Sequence, residues 1–242
     1  RIVFFVVSCT PLTIAIGNDL YWDANGNTSG SGNTGGNWSQ DKWSTNLNGG
    51  STDSWDELGG TKAIFSAGTD GVGASSIVAN LSVSLGGLTV EEGDITIASD
   101  GGSGSLTLSG SADFNVAEGS TLTITEPLLY GVNPLNKTGK GLLTINANNT
   151  PGVGGTTTIT QGKIDLSSAV TNFTGNITGL GTTKSMLGGD GIVNSATFGN
   201  ANGEIDFVSP GLGLSSSMTN NSSRQQLSAA DDERDSGAEA VG

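Results

Sequence analysis

Short runs of alternating apolar and polar residues recur along most of the chain, and Gly, Asn or Asp separates one run from the next. In residues 105–109 (SLTLS) and 121–125 (TLTIT), every second residue is Leu or Ile. Successive side chains of a β-strand point to opposite faces of the sheet, so each run predicts a strand with one buried and one polar face. Residues 137–166 show none of the spacing of an amphipathic helix. The pattern predicts an all-β chain.

The predicted strands are short, and similar units recur at intervals of roughly 20 residues. A strand, a glycine turn and another strand, repeated, are typical of a chain that stacks into a β-solenoid. The strands are predicted at residues 62–66, 76–83, 87–90, 94–98, 105–108, 113–116, 121–124, 142–145, 156–160, 163–166, 185–187, 191–193, 196–198 and 204–208.

The composition agrees with a thin, repetitive core. Of the 242 residues, 40 are Gly and only 34% are hydrophobic, which would suggest disorder if the apolar residues were unpatterned. Each coil of a solenoid buries only a narrow apolar stripe against its neighbours, so such a fold needs fewer apolar residues than a compact core.

All four Trp residues of the chain fall within residues 18–59, among loops rich in Gly and Asn. The end of a solenoid exposes unpaired strand edges and an open core, so a bulky cap is expected there. We interpret this segment as a Trp-rich N-terminal cap on a body formed by residues 60–211. The alternative is that the four rings form a sugar-stacking platform, which requires exposed faces. These candidate glycan-contact residues are Trp22, Trp38, Trp43 and Trp55.

The two ends of the sequence differ from the body. Residues 1–17 combine Arg1, an apolar stretch and small residues at a cleavage position, which predicts a signal peptide and therefore export. The mature chain is then expected to have no transmembrane segment. Residues 212–242 lose the strand pattern and end in a run of acidic residues, so we predict a disordered acidic tail.

The charge excludes some partners and several kinds of chemistry. A formal net charge of −14 leaves no basic stripe for nucleic acid or for an anionic membrane surface. The chain has no His, so it has no imidazole base and no His-ligated metal, and its single Cys, Cys9, lies in the predicted signal peptide. We expect neither a cofactor nor a bound metal.

Residues 137–166 resemble the autotransporter-associated β-strand repeat, also called the passenger-associated strand repeat. The family pattern is K-x-G-x-G-x-L-x-[LI], a loop, and G-G-T-x-[IV]-x-x-G-x-[LI]-x-[LI]. With one residue inserted near Thr157, the matching residues are Lys137, Gly139, Gly141, Leu143, Ile145, Gly154, Gly155, Thr156, Ile159, Gly162, Ile164 and Leu166. Residues 21–26, 36–38 and 86–93 are similar to the first part of such proteins. The resemblance implies a right-handed parallel β-helix on an exported bacterial surface protein, without a common enzymatic activity.

Acidic residues are the remaining candidates for chemistry. Residues 23–27 (DANGN) look like the first half of a calcium loop, but the sixth and twelfth positions are both Thr, so Asx turns are the preferred interpretation. Glycosidases need two or three carboxylates that converge in one groove. Candidate carboxylates for such a groove are Glu91, Glu92, Asp94, Asp165, Asp190, Glu204 and Asp206.

The preferred functional hypothesis is a non-enzymatic, exported β-helix that serves as a surface scaffold or adhesin-like passenger module. Its expected partners are glycans or other cell-surface proteins, met through repetitive faces of Thr, Ser and Asn. The alternative is a β-helical polysaccharide-degrading enzyme, either a lyase or a glycosidase.

Overall fold

The structure is a computed structural model. It describes residues 17–32, 35–56, 60–99, 101, 104–125, 128–129, 133–146, 155–167, 173–179, 185–190, 192–198, 207–208 and 213–220. Apart from Gly17, the predicted signal peptide lies outside the described residues, and so do residues 221–242 of the predicted tail.

All of the regular structure in the described residues is β. The strands are β1 (Asp19–Trp22), β2 (Gly36–Asn37), β3 (Trp43–Ser44), β4 (Lys62–Phe65), β5 (Ala74–Ala79), β6 (Ser82–Val90), β7 (Asp94–Ser99), β8 (Ser105–Val116), β9 (Thr121–Ile124), β10 (Leu128–Leu129), β11 (Leu135–Thr138), β12 (Leu142–Ile145), β13 (Thr156–Ile159), β14 (Gly162–Leu166), β15 (Phe173–Gly179), β16 (Ser185–Gly189), β17 (Ile192–Phe198), β18 (Phe207–Val208) and β19 (Gly213–Asn220). In this part of the chain, no helix could serve as a membrane span.

The strands form two sheets, between which the chain alternates. Sheet one has the order β19-β17-β15-β13-β11-β8-β6-β4-β1-β3, with β10 also paired to β8, and sheet two has the order β18-β16-β14-β12-β9-β7-β5-β2. All of these pairs are parallel except β1 with β3. The all-β, parallel β-solenoid is confirmed, and the handedness of its coil stays a prediction.

Strand register places like side chains above one another in columns. On sheet two, the register aligns Leu122 with Leu143 and Leu143 with Ile164, and all three are fully buried. The next residue in each of these strands is Thr123, Thr144 or Asp165, and these three lie on the outer side and are only partly buried. Burying one such Leu or Ile contributes about 1.5–3 kcal/mol, and a slip by one residue would exchange the two faces.

The Trp-rich cap closes the first coils with a cluster of aromatic rings. Trp38 and Trp43 are 0% and 1% exposed, and their ring centroids are 5.0 Å apart. Trp22 and Trp55 pack edge-on against Trp43, and Phe65 of β4 contacts the same cluster. Ring centroids 4.5–7 Å apart at steep angles are the favourable geometry for aromatic pairs. The cap is therefore continuous with the solenoid core.

Two predicted boundaries change in the structure. β19 pairs in parallel with β17 over residues 213–220, so sheet one continues beyond residue 211 into the segment predicted as a disordered tail. At the other end, β1 pairs in parallel with β4, so part of the predicted cap is itself a strand of sheet one.

The turns bring successive coils so close that a side chain does not fit. Gly162 has a φ of +77°, and a Cβ placed on it would lie 2.5 Å from the carbonyl oxygen of Gly139 in the preceding coil. Gly119 has a similar φ of +85°, but a Cβ placed on it would have no other atom within 4 Å. Backbone conformation requires glycine at both positions, whereas close approach requires it only at Gly162.

We expect Gly162→Ala to destabilise the protein more than Gly119→Ala. Both substitutions incur the cost of a positive φ, about 1–2 kcal/mol, but only the first forces two coils apart. The free energy of unfolding, measured by chemical denaturation, should fall further for Gly162→Ala by at least about 1 kcal/mol. Equal losses for the two variants would show that the close approach has no energetic weight.

A second pair of variants tests hydrogen bonding inside the aromatic cluster. The indole N–H of Trp43 donates to the carbonyl oxygen of Trp38 at 3.0 Å, whereas the Nε1 atom of Trp38 is buried and has no hydrogen-bond partner. Trp43→Phe leaves an acceptor unpaired, while Trp38→Phe removes an unpaired donor, so Trp43→Phe should cost about 1–2 kcal/mol more. Denaturation followed by near-ultraviolet circular dichroism measures the difference, and the opposite order would contradict the assignment.

Candidate functional surface

The four predicted glycan-contact residues belong to the core. Trp22, Trp38, Trp43 and Trp55 are 2%, 0%, 1% and 8% exposed, respectively. A sugar stacks on an aromatic ring only where one face of the ring is open to solvent. None of the four rings meets that requirement, so their described role is packing, and a contact surface must be sought elsewhere.

The calcium-like segment of the head forms turns held by a carboxylate. Asp23 is fully buried, and its Oδ1 accepts N–H bonds from Asn25 at 3.1 Å and from Gly26 at 2.8 Å. Its Oδ2 accepts the N–H of Gly50 at 2.7 Å. A carboxylate that is fully engaged by main-chain donors organises loops instead of binding a cation. Within the described ranges, no group of three acidic, Cys or His residues could hold a metal ion.

The densest acidic cluster of the body, Glu91, Glu92 and Asp94, has one member that is engaged in hydrogen bonds. Glu92 Oε1 accepts hydrogen bonds from Ser66 Oγ at 3.1 Å and from the Gly71 N–H at 3.0 Å, so it supports the preceding coil. Glu91 is exposed, and partial desolvation, followed by the charge of Glu92, raises its pKa. Asp94 is exposed at the start of β7. Glu91 and Asp94 are thus the exposed members of the cluster, and Glu92 is engaged by the preceding coil, whereas a glycosidase needs carboxyl groups that face the substrate together.

The later carboxylates have different surroundings. Asp165 Oδ2 lies 2.7 Å from Lys163 Nζ on the outer face of β14. A Cβ on Gly188, its register neighbour in β16, would lie only 2.5 Å from Asp165 Oδ1, so the ion pair covers the space above that glycine. Asp190 is exposed just after β16. Glu204 and Asp206 lie outside the described residues.

Strand register aligns four threonines of sheet one, which we call the threonine column. Register aligns Thr158 with Thr178, Thr178 with Thr197, and Thr197 with Thr219. Adjacent strands of a sheet are about 4.8 Å apart, so the column repeats at that spacing. It continues in the other direction through Asn136, which pairs in register with Thr158.

The corresponding column on sheet two is interrupted by charge. Register aligns Thr96, Thr123 and Thr144, but the next residues are Asp165, held by Lys163, and then Gly188. Ser76 is in register with Thr96, so sheet two also has four aligned hydroxyl residues before the charge, as sheet one has in the threonine column. On sheet one the run gains a fifth uncharged residue, Asn136, whose other register neighbour is Asp113.

A polar depression lies beside β1 on the same sheet. It encloses about 430 Å³ and is lined by Gly17, Asn18, Asp19, Tyr21 and Thr45. Burial raises the pKa of Tyr21, and the charges of Asp19 and Glu91 raise it further. The depression thus joins a phenol to acidic neighbours, a combination that the sequence pattern did not single out.

Lys137 is a charged residue of the core that sequence reasoning did not identify as buried. Lys137 of β11 is 0% exposed, and its Nζ atom donates to the carbonyl oxygens of Thr138 at 2.7 Å and Gly139 at 2.8 Å. The sequence does contain one indication of this burial. Lys137 follows Leu135 by two residues, and alternation along a strand places both side chains on the same inner face.

Comparisons with known proteins indicate an autotransporter-related chain. An alignment of 234 residues that covers 88% of this chain shows 27% identity to "Adhesin BmaC autotransporter" of Brucella suis biovar 1 (strain 1330). The chain spans only 6% of that protein's length. No family model matches the sequence, and no solved structure matches it. The chain is therefore similar to one segment of a bacterial autotransporter adhesin.

Proposed function

We propose that this chain is a non-enzymatic, adhesin-like passenger module of an exported bacterial protein, built from autotransporter-associated β-strand repeats. The observation that carries the proposal is the threonine column on a parallel β-solenoid, because such a face repeats a weak contact at a constant spacing. Repeated weak contacts acting together can exceed the affinity of each one by a factor of about 10²–10⁴.

The similarity to an autotransporter adhesin supports this proposal over a general scaffold. That relative is named as an adhesin, and an adhesin module requires an outer surface that contacts glycans or proteins of another cell. Export to the bacterial surface belongs to the same proposal, with residues 1–17 as the signal peptide.

The described carboxylates support the non-enzymatic part of the proposal. Asp23 and Glu92 accept main-chain N–H bonds, and Asp165 is held by Lys163. A lyase or a glycosidase instead needs carboxyl groups left free to face the substrate. The polysaccharide-degrading alternative therefore depends on residues other than these three.

Binding through sheet one can be tested with charge substitutions on its outer face. The full chain, immobilised on beads, should bind at least one member of a panel of glycans, extracellular-matrix proteins and epithelial cells. Thr158→Lys combined with Thr178→Lys places two cations in the threonine column, and we expect it to reduce binding at least about ten-fold through lost multivalency. Flow cytometry and glycan-array fluorescence measure the effect.

The matched control is Thr123→Lys combined with Thr144→Lys, which introduces the same charges on the outer face of sheet two. This variant should retain binding, and circular dichroism should show that both variants keep the β fold. If only the control variant loses binding, the contact surface lies on sheet two and the assignment to sheet one is wrong. Absence of binding across the panel, or release of sugar from a polysaccharide that Asp165→Asn or Asp190→Asn abolishes, would contradict the adhesin proposal.

A further inference from the structure

Lys137 occupies a position that is apolar in the adjacent coils. The register of sheet one aligns it with Phe114 on one side and with Ile159 on the other, and all three side chains are 0% exposed. An ammonium group in such a column loses its hydration, which costs several kcal/mol unless the protein replaces the lost hydrogen bonds.

Three main-chain carbonyl oxygens replace those hydrogen bonds. Lys137 Nζ donates to Thr138 at 2.7 Å, at the end of its own strand, and to Gly139 at 2.8 Å, in the turn that follows. It also donates to Gln161 at 3.3 Å, in the corresponding turn of the next coil. An ammonium has three donors and no acceptor, so this arrangement uses its full hydrogen-bonding capacity.

The main chain around Lys137 ties the same two turns together. The N–H groups of Thr160 and Gln161 both point to the carbonyl oxygen of Lys137, at 2.9 Å and 3.4 Å. Gly162 follows directly and packs against the carbonyl oxygens of Gly139 and Gly141. Lys137 therefore lies at the corner where one coil rests on the next.

The charged groups on the neighbouring elements lie away from this corner. Asp113 is exposed and accepts from Asn136 Nδ2 at 3.0 Å. Four other charged side chains of the neighbouring elements form two ion pairs toward solvent, Lys140 with Glu118 and Lys163 with Asp165. Burial is accordingly the cause that lowers the pKa of Lys137, from 10.5 to about 8.

We propose that Lys137 is a tether that joins two consecutive coils by donating hydrogen bonds from its terminal amine to their turn carbonyls, and that this amine is a cation at neutral pH. In other proteins, a bound metal ion can be surrounded by main-chain carbonyl oxygens from two segments. Here the ammonium group of a side chain takes that place, at a corner where glycine turns leave several carbonyl oxygens pointing inward. This inference is independent of the proposed adhesin function.

The direction of the pH effect follows from the two protonation states. Below about pH 8 the amine is charged in both the folded and the unfolded chain, and the folded chain carries the cost of burying the charge. Between about pH 8 and 10.5 the unfolded chain still holds the proton whereas the folded chain does not. The contribution of Lys137 to folding stability should therefore rise with pH across this window.

A labelling experiment on the unmodified protein tests the burial directly. Sulfo-N-hydroxysuccinimide acetate at pH 8 should acetylate Lys140, whose side chain is 57% exposed, at least about ten-fold faster than Lys137, as quantified by peptide mass spectrometry. The lowered pKa makes Lys137 the more reactive amine if reagent reaches it, so equal labelling rates would overturn the proposal even if no variant folds.

Substitution tests the junction itself. Lys137→Met keeps the length of the side chain but removes the donors, and we expect the melting temperature at pH 7 to fall by about 5 °C. Hydrogen exchange should also accelerate at the amides of Thr160 and Gln161. The control is Lys163→Met, which removes an amine from β14, where the Lys163 side chain is 34% exposed. This variant should change the melting temperature by no more than about 2 °C.

The pH arm compares the same proteins at pH 7 and pH 10. The difference in melting temperature between the unmodified chain and Lys137→Met should widen at pH 10, while the difference for Lys163→Met should stay constant. A Lys137→Met variant as stable as the unmodified chain at both pH values would show that the ammonium is merely tolerated.

Chemical rescue gives an independent outcome. The Lys137→Ala substitution removes the side-chain atoms beyond Cβ, and these atoms correspond to n-propylammonium. Adding n-propylammonium chloride to this variant should therefore restore part of the decrease in melting temperature, whereas n-propanol with sodium chloride should not. Equal effects of the two additives would contradict the role of a cation at this corner.

Discussion

The structure depends on main-chain hydrogen bonding between successive parallel coils. Each strand pairs with the equivalent strand one coil away, so every side chain lies above its counterpart at a spacing of about 4.8 Å. Inner columns such as Leu122, Leu143 and Ile164 are filled by apolar groups, because a polar member is desolvated from both sides and needs its hydrogen bonds replaced by the protein. The turns must bring the coils to the same spacing, which is why Gly162 lies against the carbonyl oxygens of the turn beneath it.

Much of this architecture could be predicted because it is local in the sequence. The alternation in residues 121–125 and 142–145 reflects the buried and outer faces of β9 and β12 directly. The boundaries were harder to predict. β11 was missed because its sequence, LNKT, places a lysine where alternation requires an apolar residue. β19 was missed because Ser-rich residues form a strand there only through pairing with β17.

The candidate surface was less predictable than the fold. The Trp residues attracted attention because such rings serve equally well as core and as sugar platforms, and only burial distinguishes the two uses. The threonine column is invisible in the sequence, since Thr158 and Thr178 become neighbours through register alone. Lys137 shows the same limit in the interior, because a motif match identifies the residue but not the three carbonyl oxygens that surround it.

The contacts of the Trp-rich cap have a consequence for the order of folding. The N–H of Ser31 donates to Asp70 Oδ1 at 2.6 Å, and the N–H of Trp38 donates to the carbonyl oxygen of Val78 at 2.9 Å. N–H groups of the cap thus donate hydrogen bonds to acceptors that lie about 40 residues further along the chain. A chain delivered from its N-terminus cannot complete the cap until residues 62–78 have followed. Cap and first coil therefore depend on each other for these hydrogen bonds.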